Sequence, residues 1–219
     1  MVYRTKLPDT ASVVNSKNGE RLFSASAERN SAPIINIVKR IVPNSGEALE
    51  IASGTGQHIA KLALTLPNLS WSPSEVEPER LKSINAWIDE ENLLNIKSPL
   101  YLDATEPGWA KSLSQYDFIL LVNLLHLISW NETKTLINEL SRALKKNGVA
   151  FIYGHFLRNG NLTSEGDKIF HNSLIQTDPD IGYKNDSDML TLFANSSLSL
   201  LETVVMPANN LGFVLQKDK

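Results

Sequence analysis

Two glycines and three acids mark where this 219-residue chain can most readily do chemistry. Gly54-Thr55-Gly56 follows a short apolar run, Ala48 to Ala52, and precedes a helical pattern. Glycine at a strand-to-helix turn permits unusual backbone angles and close approach of a ligand. Open α/β sheets bind their ligands at the carboxyl ends of the strands. Such turns also carry glycine simply for packing, so the companions matter. Glu50 stands four residues before Gly54, and Glu75 stands 21 residues after it, at the end of the next apolar run. An acid about 20 residues beyond the glycines is placed to hydrogen-bond ribose hydroxyls. Asp103 ends the run after that, where an acid reaches the base of a bound nucleoside.

Charge separates the nucleoside ligands. The third glycine of a dinucleotide fingerprint falls at position 59, which is Ile59. That glycine lets helix and strand pack closely beneath a pyrophosphate, and its absence counts against NAD or FAD. An acid such as Glu50 beside the loop repels phosphates and suits an ammonium group. S-adenosylmethionine has no pyrophosphate and carries both an ammonium and a sulfonium, so the residues point to it. Two readings stay open beside a methyltransferase: an NAD(P)-dependent oxidoreductase, and a cofactor-binding protein without catalytic activity.

Displacement at a sulfonium-bound carbon needs an aligned nucleophile, so positioning supplies much of the rate. An oxygen or protonated nitrogen nucleophile also calls for a base. His126, three residues after Asn123, and His155, just after another apolar run, titrate in a suitable range. The plainer reading of each is a buried or solvated histidine. Residues 123–126 are Asn-Leu-Leu-His rather than an Asn-Pro-Pro-Tyr-like motif, which removes one hint of an amino-group acceptor.

The elements that must position these groups alternate. Ile34, Ile37, Val38 and Ile41 follow helical spacing and stop at Pro43. Strands are expected at 48–52, 69–75, 98–102, 116–122 and 149–153. Helices follow near 59–66, from Pro78 to Ile88, and from Glu132 to Lys145. The almost purely apolar run 116–122 suits a strand buried on both faces. This alternation predicts an α/β fold with a parallel sheet covered on both sides. Helices near 168–175 and 188–194 come next. Then Leu198 to Met206 and Leu211 to Gln216 form an antiparallel hairpin around Pro207-Ala208-Asn209-Asn210. Residues 1–20 read as a flexible arm. The chain is expected to be one domain, with 157–197 as an insertion on the substrate side.

Composition bounds the partners. A formal net charge of −3 gives no support for a large nucleic-acid footprint, which normally shows as a basic domain, and leaves room only for a local basic patch. The apolar stretch 118–128 is broken by Asn123 and His126 and is too short for a membrane span. No secretory signal is seen at the N-terminus. With no cysteine, thiolate chemistry and cysteine-ligated zinc are ruled out, and no metal site is expected. A cytoplasmic protein acting on a small-molecule acceptor is the reading these features suit.

Three segments carry a resemblance. Glu50 to Gly56, with Glu75-Val76-Glu77-Pro78 and Asp103-Ala104, resembles the class I S-adenosylmethionine-dependent methyltransferases. More specifically, Phe23 to Asn30, Ile51 to His58 and Met206 to Asn210 resemble the group called domain of unknown function 938, which includes the animal methyltransferase-like 26 proteins. The likeness runs from about Arg21 to Lys217. It implies a Rossmann-like three-layer sandwich around a seven-stranded sheet, mostly parallel with the last strand antiparallel. By the same resemblance, Gly54 and Gly56 pass under the methionine part of the cofactor, and Glu50 stands near its amino group. Glu75 binds the ribose hydroxyls, with Glu77 as a competitor, and Asp103 the adenine amino group. Asn123 offers its backbone to the methionine end. Arg29 is expected to hold the cofactor carboxylate, and Asn209 and Asn210 to face the substrate.

Overall fold

Every second residue of the central apolar strand packs to the same side. Residues 14–16 and 19–218 are described in a computed structural model of the chain. Along Tyr116–Val122, Phe118, Leu120 and Val122 pack with Ile34, Val38, Ile59 and Leu62. Ile119 and Leu121 pack with Leu136, Leu140, Met189 and Phe193 on the opposite face. A strand that buries both faces needs an unbroken apolar run, because successive side chains alternate.

Seven strands make the main sheet: β1 (Gly46–Ile51), β2 (Leu69–Glu75), β3 (Leu100–Tyr101), β4 (Tyr116–Val122), β5 (Leu144–Gly154), β6 (Leu198–Val205) and β7 (Leu211–Lys217). Their order is β6-β7-β5-β4-β1-β2-β3. The five strands from β1 to β5 pair in parallel, and β7 lies antiparallel to both β5 and β6. Helices α1 (Ala25–Ile41), α2 (Gln57–Thr65) and α3 (Pro78–Glu90) contribute to one core. On the other face lie α4 (Trp130–Ala143) and α6 (Asp186–Asn195). The result is the three-layer Rossmann-like sandwich with an antiparallel last strand. The order reverses between β1 and β4, so the ends of these two strands open the crevice where such sheets bind ligands.

Several boundaries differ from the expected ones. Strand β3 is only Leu100–Tyr101, not 98–102; Pro99 just before it has no N–H to give to a ladder. Helix α4 begins at Trp130, because Ser129 and Glu132 close a reciprocal capping box. It ends at Ala143 rather than Lys145: the Lys145 ammonium turns to Asp117 at 2.7 Å, and β5 starts at Leu144. Most of the expected N-terminal arm lies outside the described residues. Asn15–Ser16 pairs antiparallel with Leu22–Phe23.

The segment 157–197 divides. Its last helix, α6, joins the main core. Helix α5 (Glu165–Thr177) belongs instead to a satellite cluster in which Leu174, Ile181 and Tyr183 meet Leu127, Leu157 and Phe170. This cluster stands beyond the carboxyl end of β4, and Gly182 N–H donates to the His126 carbonyl at 3.0 Å. No helix of the described residues is long and apolar enough to cross a membrane.

Candidate functional site

Three of the five residues that leave β1 are left-handed: Ala52, Gly54 and Gly56 have φ of 54°, 58° and 89°. The two glycines serve different needs. A Cβ built on Gly54 meets no heavy atom within 4 Å, so its side is open to a ligand. A Cβ on Gly56 lies 3.1 Å from Ile84 Cα and 3.2 Å from Trp87 Cδ1, so Gly56 lets α3 pack on the loop. Beside the loop is a cavity of about 270 Å³. Gly54, Asn123, His126 and His155 line it, together with Ser26, Thr55, Arg80 and Phe170. Arg29, Glu50, Gly56, Glu75, Asp103, Asn209 and Asn210 do not line it.

The acids stand in three different environments. Glu50 is 1% exposed and its Oε2 has no hydrogen-bond partner among the described residues. Burial pushes its carboxyl up to about 8; Ser53 pulls the other way and the charge of Glu75 adds to the rise. Glu75 is also buried, but satisfied. Its Oε2 accepts from Gly54 N–H at 2.9 Å and its Oε1 from Val76 N–H at 2.8 Å, with the Arg80 guanidinium 3.6 Å away. Asp103 is half-buried, and its Oδ1 accepts from the Thr105 amide and hydroxyl at 2.9 and 2.6 Å.

The first and second motif segments meet through a set of side-chain hydrogen bonds. Gln57 Oε1 accepts from Ser24 N–H at 2.6 Å and from the Thr55 hydroxyl at 2.9 Å. The Ser83 hydroxyl accepts from Leu22 N–H and donates to the Thr55 carbonyl, both at 2.8 Å. Asn30 Oδ1 and His58 Nε2 share a 2.7 Å hydrogen bond. Burial and the charge of Lys61 lower His58 to about 4, against the opposing pull of Glu28, so it is neutral here. The start of α1 is thereby tied over the glycine loop. Arg29 is exposed, one helical turn beyond Ser26.

Across the cavity, Asn123 leaves β4 with φ of 56° and donates its N–H to the Tyr153 carbonyl at 2.9 Å. Its Oδ1 is buried without a hydrogen-bond partner among the described residues, as are Nδ1 of His126 and Nδ1 of His155. The two imidazoles meet edge to face, centroids 5.1 Å apart, and Phe170 packs on both. Burial holds His126 well below its ordinary value, helped by the positive character of His155 and Lys184. Burial lowers His155 too, against the charge of Asp167. His155 stacks on Tyr183 at 21°, and the Tyr183 hydroxyl donates to Asp167 Oδ1 at 3.3 Å.

The Pro-Ala-Asn-Asn segment is a tight turn, with Ala208 and Asn209 left-handed at φ of 55° and 61°. Asn210 is buried and its amide donates to the Pro207 carbonyl at 3.0 Å. Asn209 is exposed, and its amide donates to Asp167 Oδ2 at 3.2 Å. The turn therefore reaches the histidine side of the cavity through Asp167. Sequence reading missed Asp167, Phe170 and Tyr183, because their segment is polar and nothing local in it marks a site.

A family described as "Protein of unknown function (DUF938)" matches residues 21–217. The chain belongs to this family. Among solved structures, it is similar to an O-methyltransferase family protein from Burkholderia thailandensis. There the TM-score is 0.74 at 14% identity, over 89% of this chain and 58% of that one. It is similar to human N-acetylserotonin methyltransferase in complex with S-adenosylmethionine, with TM-score 0.71 at 12% identity, over 89% and 53%. A third is an O-methyltransferase family 2 protein from Planctomyces limnophilus in complex with apigenin, with TM-score 0.70 at 14% identity, over 93% and 63%. These likenesses show a methyltransferase-type Rossmann-like fold for this DUF938 member. The chain spans little more than half the length of these structures.

Proposed function

We propose that this DUF938 chain is an S-adenosylmethionine-dependent methyltransferase of the methyltransferase-like 26 kind, acting on a small-molecule acceptor. The observation that carries this reading is the buried Glu50 carboxyl, whose Oε2 has no hydrogen-bond partner among the described residues, on the strand that leads into Gly54, whose Cβ side is open. A buried carboxylate without a counter-charge is costly, and an ammonium placed there relieves it. A pyrophosphate there worsens it, which disfavours NAD(P).

The residues fit the cofactor in parts. Glu50 takes the amino group, and Arg29, one turn from the cavity-lining Ser26, takes the carboxylate. Asn123 and Gly54 flank the methionine end, and Gly56 keeps the loop tight against α3. Glu75 accepts from the ribose hydroxyls while still holding Gly54 N–H, and Asp103 accepts from the adenine amino group. When bound, S-adenosylmethionine supplies a methyl carbon that an acceptor lone pair can attack, the carbon–sulfur pair returning to sulfur. His126 and His155, both kept neutral by burial, are bases for the acceptor proton. Phe170 and Leu124 give the acceptor an apolar wall. Asn209 and Asn210 stand on the acceptor side. The neighbours that share the fold include one with a bound flavone, apigenin, in keeping with a small flat acceptor.

Calorimetric titration separates the readings. S-adenosylhomocysteine is expected to bind and NAD not to; binding of NAD alone overturns the proposal. Methyl transfer from labelled cofactor in cell extract then distinguishes an enzyme from a binding module.

A further inference from the structure

Four side-chain donors converge on Asp167, in the first turn of α5. The hydroxyls of Thr163 and Ser164 donate to Oδ2 at 2.7 Å each, the Asn209 amide to Oδ2 at 3.2 Å, and the Tyr183 hydroxyl to Oδ1 at 3.3 Å. Burial pushes this carboxyl up, but the hydrogen bonds together outweigh it and hold the group below its ordinary value, ionised at neutral pH. So fully tied a carboxylate has a fixed position and a fixed charge. His155 Nδ1, buried and without a hydrogen-bond partner among the described residues, lies 4.0 Å from Asp167 Oδ1.

We propose that Asp167 is the positioning residue of His155: it keeps the imidazole proton on Nδ1, leaves Nε2 as the acceptor facing the cavity, and is itself held by the Pro207-Ala208-Asn209-Asn210 turn. The 4.0 Å separation is too long for a hydrogen bond, yet close enough for the charge to choose between tautomers. With the proton on Nε2, the Nδ1 lone pair faces a carboxylate; with the proton on Nδ1, an N–H faces it. Nδ1 is the buried nitrogen, whereas the ring is 22% exposed and lines the cavity, so Nε2 is the nitrogen left for a ligand. The stacked Tyr183 ring fixes the imidazole plane, and its hydroxyl shares Asp167 Oδ1.

The same geometry gives Asn209 its task. The side chain is exposed and has water available, yet its amide donates to Asp167, while the Arg158 guanidinium holds the Asn209 carbonyl at 2.8 Å. The turn that stands out in the sequence thus acts on the histidine through the acid. It does not need to touch the acceptor. Other charged or titratable groups also face this assembly. His126 packs against His155 from the end of β4, Lys184 lies near His126, His171 packs on Tyr183, and Arg158 lies near Asp167 and Asp186.

What Nε2 accepts rests on the methyltransferase reading; the tautomer does not. Long-range proton–nitrogen correlation spectra of the full ¹⁵N-labelled chain read it directly, without an acceptor. The wild type is expected to show His155 with its proton on Nδ1. Asp167→Asn is expected to lower the His155 titration midpoint by about one pH unit, the effect of removing a carboxylate at this range, and to mix the tautomers. Asn209→Ala shifts the midpoint the same way by less, and it carries the test alone if Asp167→Asn does not fold. A wild-type proton on Nε2, or an unmoved midpoint in the folded variant, overturns the proposal. The same samples titrated with S-adenosylhomocysteine keep the two ideas apart. Failure of the wild type to bind removes the methyltransferase reading and leaves the tautomer result standing.

Discussion

One side of the cavity is shaped by backbone conformation; the other is gathered from side chains of distant segments. The glycine-loop side comes from the ends of β1 and β2. Left-handed Ala52, Gly54 and Gly56 shape it, and Glu75 clamps it by accepting from Gly54 N–H. The histidine side is gathered from the ends of β4 and β5, from α5 and from the β6–β7 turn. It is held by a carboxylate with four side-chain donors and by ring contacts. The first side is a shape that short-range geometry specifies. The second is a charge arrangement that exists only once distant segments pack. Their unmet groups differ accordingly: among the described residues, a carboxyl oxygen of Glu50, whose group burial pushes up to about 8, against the amide oxygen of Asn123 and one ring nitrogen each of His126 and His155.

The largest effect expected from this contrast is at Glu50. Its folded-state pKa, about 8, lies above its ordinary value of 4.5. The stability it contributes is therefore complete below about pH 4.5 and is lost as pH rises to about 8, at about 1.4 kcal/mol per pH unit. In cofactor-free protein, Glu50→Gln is expected to be more stable than wild type at pH 8, by on the order of 4 kcal/mol relative to their difference at pH 5. Urea denaturation at the two pH values measures this. The same variant is expected to bind S-adenosylhomocysteine weakly. A variant that gains no stability at high pH shows that Glu50 is not an uncompensated anion.

The two glycines give the next contrast. Gly56→Ala meets both a left-handed backbone and the Ile84 and Trp87 contacts, and is expected to cost about 2–4 kcal/mol in denaturation. Gly54→Ala meets only the backbone strain, about 1 kcal/mol, but its methyl occupies the open face. It is expected to weaken S-adenosylhomocysteine binding out of proportion to its stability. Equal losses of stability in the two variants erase the distinction drawn between them.

The smallest effect is at Arg29. Arg29→Ala is expected to leave thermal stability unchanged, because the side chain is exposed, and to weaken S-adenosylhomocysteine binding by about tenfold in calorimetry. Unchanged affinity removes Arg29 from the site.

The two sides were not equally legible in the sequence. Glu50, Gly54, Gly56 and Glu75 form one compact constellation, because a strand-turn-helix unit and the strand beside it bring residues about 20 apart into contact. The apolar run 116–122 announced a strand buried on both faces for an equally local reason. The roles of the two glycines were not visible, since Gly54 and Gly56 differ only in what lies above them, and α3 supplies that. Asp167 was not visible at all. It lies in a stretch of Asn, Asp, Ser and Gly, 12 residues after His155 and 42 before Asn209, and no periodicity links the three. Asn209 and Asn210 stood out as a motif, but their exposed and buried states, and the reach of Asn209 to Asp167, follow from the hairpin folding over α5.

By itself the sequence determined the alternation of strands and helices, the switch-point loop, and a ligand whose charge suits Glu50 rather than a pyrophosphate. These rest on local spacing and on the sign of one charge, neither of which needs a neighbour to be read. The tertiary structure decided which acid is satisfied and which is not, which glycine packs and which opens, and that two neutral histidines share a wall with a fixed carboxylate. Those outcomes depend on burial and on contacts between residues far apart in the chain, and burial sets both the cost of an unpaired charge and the proton that a histidine holds.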